Sequence, residues 1–247
     1  MDTLFISDVH LCQERPEKLA LLQALLRGPA REAHALYILG DLFEHFWLGN
    51  DERTPPAPQV LSELKDFTAS GGQLFILRGN RELVLDRGIT ELTGGKLLPD
   101  LSIVEIAGKQ ILLCHGDILC SRDIGYQTYR QFMEHSATRS LFLALPYGVR
   151  SFLARGLRPL MRRSLQYKRP EIIDADQKTI EQVVLTHGVS ELIHGHTHRP
   201  GIHHFAINGR EIRRIVLGDW YEDDSVLVCR GDQRQLLRVQ DYLNRMA

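Results

Sequence analysis

Residues 192–200 read Leu-Ile-His-Gly-His-Thr-His-Arg-Pro, an apolar run that opens into Gly-His-Thr-His and closes at a proline. Neutral imidazole is the commonest metal ligand. Side chains two apart at the end of a strand share a face. The spacing therefore predicts that His196 and His198 point into one site, with Gly195 letting the backbone approach closely. Alone, the stretch reads more readily as a His-rich turn on a solvated surface. Asp8-Val9-His10, Gly40-Asp41, Gly79-Asn80-Arg81-Glu82 and His115-Gly116-Asp117 each close a short apolar run as well. Asp8-Val9-His10 by itself also reads as a capped turn into a helix. Together the stretches offer Asp8, His10, Asp41, Asn80, His115, His196 and His198 as metal ligands.

This donor set is oxygen and imidazole without thiolate, which suits Mn, Fe or Zn better than a structural zinc or a calcium cage. Seven ligands exceed what one catalytic ion with an open position needs, and suit two ions that share Asp41. A pair of ions roughly 3.5–4 Å apart clamps the attacking and leaving oxygens of an in-line displacement at phosphorus and lowers the pKa of a water. Arg81 adds a planar positive fork matched to phosphate.

The elements that must carry these residues are short and alternate. Strands are predicted over 3–7, 35–39, 73–77 and 111–114, with helices from Pro16 to Arg27 and from about Gln59 to Ala69. Such alternation argues for α/β layers, in which ligands gather beyond the carboxyl ends of strands. Thr54-Pro55-Pro56-Ala57-Pro58 is expected as a stiff exposed turn. Asn208-Gly209 is expected as a hairpin turn. Outer strands are expected over 225–229 and 235–239, and Gly218-Asp219-Trp220 as a strand-ending turn with a packed Trp.

Composition is that of an ordinary globular chain: 247 residues, 43% apolar, 25% charged and a formal net charge of −1. The charge balance argues against a nucleic-acid partner. The chain has no 18-residue apolar run and no basic segment followed by a signal core at its start. Its four cysteines form no Cys-x-x-Cys pair, which favours a reducing compartment. From His135 to Pro170 there is no acidic residue, while Arg139, Arg150, Arg155, Arg158, Arg162, Arg163, Lys168 and Arg169 occur. Val149, Phe152, Leu153, Leu157, Leu160, Met161 and Leu165 fall among them at helical spacing. The pattern predicts a basic amphipathic helix, either on a membrane surface or packed on the core with a solvated basic face.

In this order, Asp-x-His, Gly-Asp, Gly-Asn-Arg, His-Gly-Asp and Gly-His-Thr-His span residues 8–198 and resemble the calcineurin-like metallophosphoesterases. Most members carry His where this chain has Arg81. Arg at that place, with the stretches 36–44, 192–200 and 214–220, is similar to the UDP-2,3-diacylglucosamine pyrophosphatase family of lipid A synthesis. The resemblance implies an α/β fold, an αββα sandwich forming one domain over 1–247, with a helical insertion at about 123–170 as a lid over acyl chains. It implies two Mn ions, with Fe or Zn as alternatives, and Asn80, Arg81 and His115 at the chemistry. The implied reaction cleaves a UDP-activated, diacylated glucosamine to UMP and 2,3-diacylglucosamine 1-phosphate.

Substrate contacts are implied for Asn80, Arg81, Asp123, Lys168 and His196. They are implied too at Met161 and Leu165, where the family places Ser and Asn. Glu82 and Leu83 stand where it usually has Asp and Phe. The resemblance further implies a cytoplasmic monomer, peripheral on the inner face of the inner membrane. Two other readings stay open. One is a related dinuclear metallophosphoesterase acting on another nucleotide diphosphate or phosphodiester. The other is a catalytically idle scaffold, which the full set of convergent ligands argues against.

Overall fold

A computed structural model describes residues 1–49, 51–86, 88–156 and 169–246 of the chain. Two sheets stand face to face. The first has the order β11-β10-β1-β2-β3-β4, built from β1 (Thr3–Ile6), β2 (Ala35–Ile38), β3 (Leu74–Ile76), β4 (Lys96–Leu97), β10 (Ser225–Arg230) and β11 (Gln233–Arg238). The second has the order β5-β6-β7-β9-β8, from β5 (Ser102–Ile106), β6 (Lys109–Leu113), β7 (Glu191–His194), β8 (Gly201–Ile207) and β9 (Arg210–Val216). Each sheet has a parallel centre, β1-β2-β3-β4 in one and β6-β7-β9 in the other.

The apolar runs are buried on both faces, and their alternation feeds two different cores. Leu4, Leu36 and Ile38 point outward from the first sheet, against Leu22, Leu25 and Leu26 of α1 (Pro16–Arg27), Val60, Leu64 and Phe67 of α2 (Ala57–Ala69), and Val239 and Tyr242 of α9 (Val239–Met246). Phe5, Tyr37 and Leu39 point inward to meet Leu113, Ile193 and Ile215 of the second sheet. Leu112 and Leu192 face outward again, onto Ile180 and Val184 of α8 (Gln177–His187). The layers are therefore helix, sheet, sheet, helix, as the resemblance implied. Phe5, Tyr37 and Phe75 stack across neighbouring strands of the middle core, with ring centroids 4.8 and 4.6 Å apart.

Between β6 and β7 the chain leaves the sandwich. It forms α3 (Gly88–Thr93) earlier, and here α4 (Ile124–Glu134), α5 (Ser136–Ala144), a helix α6 over residues 147–156 and the short α7 (Pro170–Ile173). The basic pattern of this segment is only partly a solvated face. Arg150 is buried and donates to the carbonyls of Leu48 and Gly49, and Arg139 donates to those of Val84 and Leu85 (both 3.1 Å). Long planar forks reach carbonyls that no helix satisfies. Arg155 is exposed, as expected for a basic face. Arg169 is exposed too, as are Val149, Phe152 and Leu153 of the apolar positions; the remaining residues of the pattern, within 157–168, lie outside the described residues.

Several boundaries differ from the sequence reading. α2 begins at Ala57, and Pro56 is buried, so the 54–58 stretch is not simply an exposed turn; Pro58 sits in the first helical turn, where its missing N–H costs nothing. The last strand is Gln233–Arg238, and Val239 instead opens α9. The Asn208-Gly209 turn is as expected, with Ile207 paired to Arg210 and both turn residues at positive φ. Among the described residues no helix is long and apolar enough to cross a membrane. The four cysteines are buried and unpaired.

The inner core sets the stability. Tyr37→Ala opens a hole between two stacked rings and is expected to cost about 3–5 kcal/mol. Leu141→Ala, on a side chain 71% exposed, is expected to stay within about 0.5 kcal/mol. Urea unfolding of the two variants checks this contrast.

Candidate metal centre

The carboxyl ends of β1, β2 and β3 from one sheet and β6, β7 and β9 from the other meet at one edge of the sandwich. Backbone bonds stitch the loops there: Asp8 N–H to Gly40 O (3.1 Å), Trp220 N–H to Asp8 O (3.0 Å) and Gly195 N–H to His115 O (2.7 Å). All seven expected ligands lie at this edge. The reason is not strand alternation, because β1 ends at Ile6 and β7 at His194. Asp8, His10, Asp41, His196 and His198 instead have φ between 50° and 68°. Left-handed backbone is unfavourable for residues with a Cβ and persists where surrounding bonds over-determine it. Each such residue turns its side chain back over the edge.

Asp8 is central and fully buried. Its Oδ2 accepts from Ser7 Oγ (2.6 Å) and His196 N–H (2.8 Å), which leaves Oδ1 facing His198 Nε2 (3.3 Å) and His10 Nε2 (3.9 Å). The two ring nitrogens are 3.5 Å apart. On the other side, Asn80 Oδ1 lies 3.0 Å from His115 Nε2 and 2.9 Å from His196 Nδ1, and Asp41 Oδ1 is 3.6 Å from His115 Nε2. Two atoms about 2.1 Å from one ion and at right angles lie about 3.0 Å apart, so these separations suit shared cations. Two compact groups result, Asp8 with His10 and His198, and Asp8 with Asp41 and His115. Asp8 is common to both, and Asn80 and His196 adjoin the second.

The electrostatics ask for positive charge. Burial pushes His10 down to about 4, keeping its ring neutral. Burial opposes a charged His198, but hydrogen bonds to Asp219 and Asp8 outweigh it and raise the group to about 10, so a proton is held where carboxylates converge. Burial would raise Asp8, yet His115, His198 and His10 together hold it far below the usual carboxylate range. His10 Nδ1 is buried with no hydrogen-bond partner. Imidazoles, carboxylates and one amide oxygen are a donor set that fits divalent cations of the Mn, Fe or Zn kind, which would take the place of the proton on His198.

Close backbone approach makes this packing possible. A Cβ on Gly195 would collide with Ser7 Oγ and Asp8 Oδ2. The glycine thus brings the loop against Asp8 rather than against a ligand of the imidazoles. Glu82 reaches under the loops. Its Oε2 accepts from Asp41 N–H (2.8 Å) and Gly79 N–H (3.2 Å), and its Oε1 from Phe43 N–H (3.2 Å). Arg81 is held beside Asp41 (Nε to Oδ2, 3.3 Å) and Glu44 (Nη1 to Oε1, 3.1 Å).

Asp219 stands 2.9 Å from His198 Nδ1 through Oδ2. The sequence reading gave the stretch to a turn with a packed Trp; Trp220 is fully buried, but Asp219 belongs to the site's surroundings. The signal was present, because Gly218-Asp219 repeats the Gly40-Asp41 pattern at a strand end. His194, also within the central motif, is no ligand: it is buried, its Nε2 accepts from Arg214 Nε (2.8 Å), and its Nδ1 meets Gly195 O (2.8 Å).

Of the expected substrate contacts, Asn80, Arg81 and His196 are in the cluster. Asp123 is buried at the N-cap of α4, accepting from Tyr126 N–H (3.0 Å), outside both ligand groups. Met161, Leu165 and Lys168 lie outside the described residues. From Asn80 and Arg81 an apolar cavity of about 320 Å³ runs under the inserted helices, walled by Trp47, Leu83, Tyr129, Met133, Phe142 and Leu153.

Asp41→Ala is expected to lower bound metal from two ions towards one or none and to abolish turnover. Gly195→Ala is expected to do much the same by displacing Asp8, with about 1–3 kcal/mol of lost stability from the forced clash. Elemental analysis of dialysed protein and thermal melts test both; unchanged metal content in either variant contradicts this account.

Residues 1–200 match the calcineurin-like phosphoesterase family. The chain is 42% identical over 235 residues to a protein of Aeromonas hydrophila subsp. hydrophila named UDP-2,3-diacylglucosamine hydrolase, covering 95% of this chain and 97% of that one. It is 41% identical over 245 residues to a protein of the same name from Aeromonas salmonicida, covering 99% and 96%. A Pseudomonas putida protein, again of that name, is 42% identical over 217 residues, covering 88% and 90%. With the ligand-bearing loops, the two-sheet sandwich and these matches in agreement, the chain belongs to the calcineurin-like phosphoesterase family.

Proposed function

We propose that this chain hydrolyses the pyrophosphate bond of UDP-2,3-diacylglucosamine, releasing UMP and 2,3-diacylglucosamine 1-phosphate. One observation carries the reading: the polar ligand cluster and the 320 Å³ apolar cavity share Asn80 and Arg81 as a common wall. A substrate that fills both joins a phosphoryl group to an apolar portion. The names of the relatives, covering nearly the whole chain, agree with that chemistry.

In this reading Asp8, His10, Asp41, Asn80, His115, His196 and His198 hold two divalent cations, Mn by preference with Fe or Zn as alternatives. Such ions polarise phosphoryl oxygens and lower the pKa of a water. Asp41, as the shared carboxylate, and Asp8 would hold them. Asn80, Arg81 and His115 stand closest to the reacting phosphorus. Arg81 offers its fork to the diphosphate in exchange for Glu44. An oxygen from water joins the uridine-bearing phosphorus, the bond to the bridging oxygen breaks, and the sugar phosphate departs with that oxygen. The chain supplies no nucleophile of its own.

The domain spans 1–247, and its insertion at about 123–170 covers the acyl chains as a lid, with Asp123, Met161, Leu165 and Lys168 toward the glucosamine. Each buried CH₂ contributes roughly 0.8 kcal/mol, so two acyl chains outweigh a missing polar contact at Met161 or Leu165. Ile124, Leu141 and Phe152 expose 74%, 71% and 73% of their surfaces on the same insertion. Such side chains, with basic residues beside them, suit a lipid surface. We place the enzyme as a monomer in the cytoplasm, peripheral on the inner membrane, with no nucleic-acid partner.

Purified protein with Mn and the diacylated substrate is expected to release UMP, and reaction in oxygen-18 water to place the label in UMP. Label in the sugar phosphate would reverse the direction of attack. Replacing Phe152 and Leu153 together by Gln is expected to raise KM for the diacylated substrate tenfold or more, because the acyl chains then bury less apolar surface against the insertion. Hydrolysis of a small soluble phosphodiester is expected to be unchanged. If only the small diester is a substrate, the enzyme is a related metallophosphoesterase whose substrate carries no lipid.

A further inference from the structure

The two oxygens of the Asp219 carboxylate have separate partners. Oδ1 accepts the backbone N–H groups of Tyr221 (2.7 Å) and Glu222 (3.0 Å), which folds the turn after β9. Oδ2 meets His198 Nδ1 at 2.9 Å. An ionised carboxylate only accepts, so this contact requires the proton on Nδ1. The opposite nitrogen, Nε2, is the one that faces Asp8 Oδ1 (3.3 Å) and His10 Nε2 (3.5 Å). In the neutral ring it then carries its lone pair toward the place where a cation binds.

His198 needs this help more than its neighbours do. Its side chain is 33% exposed, against 1% for His10 and His115. Packing therefore orients the other two rings, while His198 sits on a loop with solvent to turn into. His115 is also fixed from behind by Leu39 O, 2.7 Å from its Nδ1, and His196 presents Nδ1 to Asn80 Oδ1. No hydrogen bond holds His10 Nδ1, from which Glu44 Oε2 stands 3.8 Å away.

We infer that Asp219 is a positioning residue for the cation site of Asp8, His10 and His198, and that it governs the occupancy of that site but not of its neighbour at Asp41, Asn80, His115 and His196. The inference rests on the reading of these clusters as cation sites and is independent of the substrate. Asp219→Asn is the discriminating variant. Asn keeps an oxygen for Tyr221 and Glu222 but turns an NH₂ toward His198 Nδ1. That donor forces the ring proton onto Nε2 and blocks the lone pair. Asp219→Ala leaves the ring free to take either tautomer.

The experiment measures Mn per chain at buffered free Mn²⁺, with the melting temperature of the metal-free protein as a structural control. Wild type is expected to hold two ions. Asp219→Asn is expected to hold one, with affinity at the second position lowered about 10–100-fold, and Asp219→Ala to fall between them. Metal-free Asp219→Asn is expected to unfold in a single transition as cooperative as that of wild type, at a somewhat lower temperature because its ion pair with His198 is lost. Two ions with unchanged affinity in Asp219→Asn, or parallel loss of both, overturns the inference. Wild type binding no ion would instead strike the reading of the clusters as cation sites. A second measurement needs no variant: imidazole nitrogen NMR of the Zn-loaded wild type is expected to show His198 protonated at Nδ1, and protonation at Nε2 overturns the proposal.

Discussion

The site depends on one buried carboxylate. Asp8 sits where the ends of two sheets converge, and its two oxygens are divided between structure and chemistry. Oδ2 is saturated by Ser7 Oγ and His196 N–H, one donor from each sheet's strand-end loop. Oδ1 is left to the imidazoles. A buried charge without compensation is costly, so this arrangement is stable only if positive charge is supplied beside it. In the metal-free chain a protonated His198 supplies part of that charge. In the proposed reading two divalent cations would supply it fully, which would link cation binding to the integrity of the sandwich edge.

Around Asp8 the loops trade backbone ease for convergence. Left-handed residues at Asp8, His10, Asp41, His196 and His198 each carry a conformational cost. That cost is met by cross-loop bonds such as His10 N–H to Asp41 O and by the carboxylate of Glu82, which binds three backbone N–H groups. Burial and the nearby Asp41 raise the pKa of Glu82, while the N–H donors favour its ionised form. The Glu82 carboxylate thus spans from the Asn80 loop to the Asp41 loop.

The insertion shows a similar division of labour. Three of its arginines are used internally, first Arg150 on the loop at Leu48 and Arg139 on the carbonyls of Val84 and Leu85. They tie the helices to the loops that wall the cavity. Arg130 does the same toward the metal edge, pairing with Asp117, two residues after His115, and with Asp100. Tyr126 also hydrogen-bonds Asp117. The helices that enclose the apolar cavity and the loop that carries His115 therefore share a buried polar network, and such networks are stable only when held as a unit.

Much of this was legible in the chain itself. Short apolar runs ending in Asp-x-His, Gly-Asp, Gly-Asn-Arg, His-Gly-Asp and Gly-His-Thr-His pointed to the residues that converge at the sheet edge and to the α/β class, because a parallel strand buried on both faces is continuously apolar and its polar end stands out. Asn208-Gly209 declared its turn because few residues accept positive φ. Tertiary structure decided the rest. Strand alternation could not have aimed His196 and His198, since both lie past the strand, and only cross-sheet hydrogen bonds determine how those loops fold back. Whether an arginine of the insertion faced solvent or a carbonyl depended on loops a hundred residues away. Asp219 gained its role from a contact between a turn after β9 and a loop after β7. Local pattern determines which residues can do chemistry, but distances between separate loops are set by how the two sheets pack.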